Sequence, residues 1–180
     1  MIHPIKIDAL QKIKVWIDEP FEVPLEGPLI KGVHLEAANP IAAKSIIVEW
    51  YIPQGARVIY GLLGAEFKPG ESGSFSTFFT MPKTTNAYQS TIASPNIVSP
   101  ETNIPAEIMD KVFEEVSLFY LPKTIHAPEG AMTFKYAAYC PVSSNTWIFR
   151  RIVKLLLLIL NDGSVGPEEL VASRLNKLDL

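Results

Sequence analysis

The sequence predicts an α+β domain: a mixed or antiparallel sheet of about four strands with two helices packed on one face, an N-terminal strand arm before it and a short C-terminal helix after it. Three observations predict it. One helix start is led by proline, at Asn103-Ile104-Pro105-Ala106-Glu107, and a second by small polar residues, at Ser143-Ser144-Asn145. Runs rich in β-branched and aromatic residues, separated by glycine and proline turns, supply the strands.

Residues 1–44 read as an arm with one or two edge strands. Ile5, Ile7, Ile13, Val15 and Ile17 alternate with polar residues, and Pro20, Pro24 and Pro28 break the next segment into extended pieces. Residues 45–160 form the core. Its first strand is Ser-Ile-Ile-Val-Glu-Trp-Tyr over 45–51, and Pro53-Gln54-Gly55 turns the chain into a second strand over 57–67. After the turn at 68–73, Phe75, Phe78 and Phe79 mark a third strand over 74–80. Residues 81–102, mostly Pro, Thr, Ser and Asn, predict a long loop with a short strand near 88–92.

The first helix opens at Asn103 or Ile104. Proline there gives up an amide that would lack a partner anyway, and Glu107 complements the positive end of the helix dipole. Ile108, Val112 and Val116 form its apolar stripe, and Glu107, Asp110 and Glu114 fall on a solvated back. A proline-punctuated connection leads to the last strand at 131–139. The second helix, 146–160, is capped by Ser143, Ser144 or Asn145 and carries Phe149, Ile152, Val153, Leu156, Ile159 and Leu160 on one side. Arg150, Arg151 and Lys154 lie on the other. Leu157 and Leu158 share that basic side, so they need a cover and form a candidate interaction surface for the C-terminal tail, a protein partner or a second copy. Residues 161–180 read as a turn and a short helix opened by Pro167.

With 180 residues and 48% apolar content, the chain is long and apolar enough to bury a core. Its longest apolar run, 155–160, is far below the roughly 20 residues that cross a bilayer, and the first residues have no signal-peptide pattern. A cytoplasmic protein without membrane contact is expected. A single cysteine, Cys140, excludes an internal disulfide, and His3, His34 and His126 have no metal-ligand spacing, so neither metal nor cofactor is expected. The net charge of −3 gives no global attraction to nucleic acid, so any RNA contact must be local.

Arg57, Arg150, Arg151 and Lys154 form the candidate basic patch, with Tyr60 and Tyr139 as aromatic surfaces on which unpaired bases could stack. Cys140 could act as a nucleophile only with a cation or helix start beside it, and a lone cysteine at a strand end reads first as a packing residue. Gly61-Leu62-Leu63-Gly64 sits within a strand and lacks a following lysine, so it reads as close strand packing rather than a phosphate loop. No catalytic residues are assigned.

The order strand, strand, strand, helix, strand, helix over about 45–160 resembles domain IV of elongation factor G, which shares its fold with the second domain of ribosomal protein five of the small subunit. The family's tip hairpin is matched by Gln54-Gly55-Ala56-Arg57 with Tyr60-Gly61, its helix start by Ile104-Pro105-Ala106-Glu107, and its second loop by Tyr139-Cys140-Pro141-Val142-Ser143-Ser144 ahead of Phe149-Arg150. Cys140 stands where the family has histidine, and no nucleotide-binding P-loop is present. The resemblance implies a non-catalytic module that reaches RNA or the ribosome through two tip loops, with Gln54, Gly55 and Arg57 on one and Tyr139, Cys140 and Pro141 on the other. The alternative is a stand-alone protein-interaction module that reuses the fold.

Overall fold

The computed structural model describes residues 2–6, 11–22, 24–102, 104–122, 124–162 and 169. In chain order the elements are β1 (Ile2–Lys6), β2 (Lys12–Ile17), β3 (Leu29–Glu36), β4 (Lys44–Gln54), β5 (Arg57–Pro69), β6 (Ser74–Thr80), α1 (Ala106–Tyr120), β7 (Gly130–Ala138) and α2 (Thr146–Asn161). The short helix expected after Pro167 lies outside the described residues.

Among the described residues, seven strands form one mixed sheet in the order β1-β2-β4-β5-β7-β6-β3. The expectation of about four strands is therefore corrected. A four-stranded sheet of β4, β5, β7 and β6 would leave long edges of unpaired backbone groups. The N-terminal chain occupies both of them, with β2 antiparallel to β4, β1 antiparallel to β2, and β3 antiparallel to β6. The arm is thus three strands split between opposite edges, joined to the same sheet as the core. Only β6 and β7 pair in parallel, with α1 in the crossover between them.

The two faces of the sheet are covered differently. Ile46, Val48 and Trp50 of β4, with Leu63, Ala65 and Phe67 of β5, point at the helices and join Ile108, Val112 and Val116 of α1 and Ile148, Ile152 and Leu156 of α2 in the main core. Gly61 lets α2 approach: a Cβ there would stand 3.1 Å from Ile152 and 3.2 Å from Ile148. On the opposite face, Trp16, Ile47, Tyr60, Leu62 and Tyr136 make a second core with Tyr88 and Val98 of the 81–102 loop. That loop contains no strand at 88–92. Bridges at Ala87–Glu101 and Glu101–Tyr139 tie its two ends together and to the end of β7.

The helices are joined to each other by a charge clamp. Glu115 on α1 is 2% exposed, and it receives Arg150 Nε at 2.7 Å and Lys154 Nζ at 3.4 Å from α2. Nearer their C-terminal ends, Asn161 Nδ2 donates to the Tyr120 hydroxyl at 2.8 Å. Glu115 lies in register with Ile108 and Val112 on the apolar stripe, which is why it is buried while its neighbour Glu114 is exposed.

Removing the carboxylate strands two cations against a buried seam. Glu115→Ala is expected to lower stability by about 2 kcal/mol, the low end for a buried pair because both cations keep some solvent. Urea unfolding measures it, and an unchanged midpoint would show that the clamp contributes nothing.

Candidate functional site

The end of the sheet where β4 turns into β5 is also where the chain leaves β7 for α2. Gly55 makes the hairpin turn at φ +61°, and a Cβ there would meet nothing within 4 Å, so the tip stands in open space. The second loop is fastened to β5 by its own backbone and one serine. Ser144 Oγ donates to the Tyr60 carbonyl at 2.6 Å while accepting from the Cys140 amide at 2.8 Å, and the Tyr60 amide donates to the Ser143 carbonyl at 3.3 Å. The amides of Ser143 and Ser144 both turn back to the Cys140 carbonyl, at 3.1 and 2.8 Å. Asn145 then caps α2 by accepting from the Ile148 amide at 3.1 Å.

Between the two loops lies a groove of about 640 Å³, lined by Gln54, Arg57, Ile97, Cys140, Val142 and Asn145 among others. Gln54 and Arg57 are exposed at its rim, Gly55 is exposed at the turn between them, and Cys140 is buried in its wall. Burial pushes the Cys140 thiol up, but the Ser143 side chain and the backbone amides of Val142, Ser99 and Ser143 outweigh it, so the thiol lies below its ordinary range. Tyr139 is half-buried and held by paired backbone bonds with Glu101 at 2.8 and 2.9 Å.

The other expected residues lie elsewhere. Tyr60 is fully buried, and its hydroxyl donates to Glu49 Oε1 at 2.8 Å, so its ring has no open surface on which a base could stack. Burial, then the Glu49 charge, pushes its ionisation far above the ordinary range. Glu49 is itself fully buried and also accepts from the Thr91 hydroxyl at 2.6 Å and the Thr91 amide at 3.2 Å. It thereby pins the 81–102 loop to the sheet. Lys12, donating to the Ile92 carbonyl at 3.2 Å, and Lys14, donating to Thr91 Oγ1 at 3.4 Å, hold the same loop from outside.

Arg150 and Lys154 are engaged with Glu115 in the helix clamp. Arg151 points the other way, its guanidinium 3.7 Å from the Trp147 ring centre and 5.9 Å from that of Trp50. Leu157 and Leu158 are both buried within the chain, Leu157 in the main core. The groove therefore gathers Gln54, Arg57 and Cys140, with Gly55 at the adjoining turn and Tyr139 next to Cys140; the helix cations do not line it. Sequence reading missed Glu49, Glu115 and Trp147. The first interrupts an apolar run, Ile46 to Tyr51, and the second sits on an apolar stripe, so both carried a signal of burial.

Comparison with protein-family models, with curated proteins and with solved structures finds no match. Among the described residues no helix is long and apolar enough to cross a membrane, and no group of three or more His, Cys, Asp or Glu side chains is placed to hold a metal ion.

Tyr60→Phe removes one donor from a buried carboxylate and keeps the ring. It is expected to cost about 2 kcal/mol in stability, as for a hydrogen bond to a charged group, and to leave any RNA association untouched. Denaturant unfolding and RNA co-sedimentation read the two effects separately; lost RNA binding in a fully stable variant would return Tyr60 to the binding surface.

Proposed function

We propose that this chain is a non-catalytic binding module, resembling domain IV of elongation factor G, that engages RNA or the ribosome through the groove at the end of the sheet. The observation that supports it is the meeting of two loops far apart in sequence. The hairpin tip at Gln54–Arg57 and the segment from Tyr139 to Asn145 converge on one open groove, with an exposed arginine at its rim. Both loops are the ones the resemblance points to. Each is braced from behind, the first by a long buried hairpin and the second by Ser144, so the groove is already formed before a ligand arrives. Little ordering entropy then opposes binding.

A second reading has its own support. Val142 is 96% exposed and Ile97 54% exposed at the same groove, and apolar side chains left open in this way fit a protein surface better than a phosphate backbone. Under this reading the groove docks a protein partner.

One experiment separates the two. The purified chain is sedimented with ribosomes and with free single-stranded RNA across a salt series. The first reading expects association that weakens as salt rises, and Arg57→Ala is expected to weaken it and to lower the salt slope by about one. An unchanged slope would remove Arg57 from the interface. No association at low salt would remove the RNA reading, and Val142→Asp in a ribosome or protein pull-down then tests the second.

A further inference from the structure

The first turn of α2 carries a feature that the tip groove does not use. Trp16 and Trp50 are buried, but Trp147, two residues beyond the groove-lining Asn145, is 36% exposed. One turn later Arg151 lays its guanidinium on that ring at 3.7 Å, with Trp50 of β4 at 5.9 Å on the sheet side. The guanidinium is thus set between two indoles, one of them immobile in the core.

Among the described residues its charge is not balanced. Arg150 and Lys154 share Glu115, whereas no carboxylate among the described residues pairs with Arg151, and its buried Nε has no hydrogen-bond partner. Burial alone lowers its pKa, to about 10, which leaves it cationic at neutral pH. A half-buried cation without an anion is a standing cost that a bound anion relieves. A planar cation on an exposed indole also offers what an unpaired base and its phosphate require, namely an aromatic surface and a positive charge in one place.

We propose that Trp147 and Arg151 form a stacking platform for an unpaired nucleobase of an RNA strand whose path continues from the tip groove. This rests on the RNA reading above. The base stacks on the indole and guanidinium surface, and its phosphate supplies the counter-charge for Arg151. The platform adds contact with the base itself, whereas Arg57 at the rim serves the backbone.

The full chain is titrated with a single-stranded oligoadenylate and with an abasic oligonucleotide of the same length, at low salt, by sedimentation and by tryptophan fluorescence. Trp147→Ala is expected to weaken oligoadenylate binding roughly tenfold, Trp147→Phe to keep it within about twofold, and Arg151→Lys to weaken it several-fold because charge without a plane remains. Abasic binding is expected to be the same for wild type and Trp147→Ala. Matching unfolding curves confirm that the variants fold, and Trp147→Phe keeps the test informative if the alanine variant does not. If Trp147→Ala binds oligoadenylate as tightly as wild type while Arg57→Ala weakens it, the platform is overturned and the groove reading stands. Equal loss on both oligonucleotides also overturns it, since no base is then being read. No binding by wild type overturns both readings.

Discussion

Burial of the β4–β5 hairpin on both faces is the constraint on which the rest of the arrangement depends. β4 is buried almost continuously from Ile46 to Ile52, and β5 from Tyr60 to Ala65. A sheet of this kind needs cover on each side. The helices supply one cover through Ile148, Ile152 and Leu156, and the 81–102 loop supplies the other through Tyr88 and Val98. The cost falls on Glu49, a carboxylate inside the second cover whose donors among the described residues are neutral: Tyr60 and Thr91. A carboxylate so placed holds loop to sheet with direction as well as strength, because its bonds join β5, through Tyr60, to the loop, through Thr91.

The same logic governs the charges of α2. A helix packed on a sheet beside a second helix has two flanks, and here the cations divide between them. Arg150 and Lys154 face α1 and are drawn to Glu115, while Arg151 lies against Trp147 and Trp50. Three neighbouring basic residues in sequence therefore do two different things. Counting them as one electropositive surface overstates the field this helix presents, since the buried acid offsets one of the two charges it holds.

Much of the core was legible in the sequence because its signals are local. The turn at Gln54-Gly55, the glycine cluster at Gly70–Gly73, the Pro105 helix start and the Asn145 cap mark β4, β5, β6, α1 and α2 to within a few residues. The N-terminal strands were less legible. β3 is interrupted by Lys31, His34 and Glu36, and its apolar residues Ile30, Val33 and Leu35 reach the core with a register shift between Lys31 and His34, so no strict alternation marks it. Pairing between segments that lie so far apart leaves no mark in either one. At the site, the two loops were readable as loops, and the groove between them was not. Trp147 carries no mark of its own, because an aromatic in a first helical turn looks like the core residues beside it. Its exposure is decided by which way α2 rolls on β5, and Gly61 and Ile152 set that roll.

The sheet's own edges bear on why the proposed binding site lies at its end. An exposed edge strand is the usual place for a β protein to recruit another chain. Here β1 carries Pro4, which has no amide to offer, opposite Lys14. β3 shifts register between Lys31 and His34, where the Val33 amide is taken by Thr77 Oγ1 at 2.8 Å, and a bulge there disrupts the regular row that an incoming strand would need. Both edges are thus poor templates, and both faces are covered. The end of the hairpin is left open: Gly55 turns in free space, Arg57 and Val142 are exposed, and the first turn of α2 brings Trp147 alongside. A fold that closes its faces and blunts its edges leaves its tip as the open surface. On the proposed reading, the residues placed there, rather than the sheet that carries them, determine what is bound.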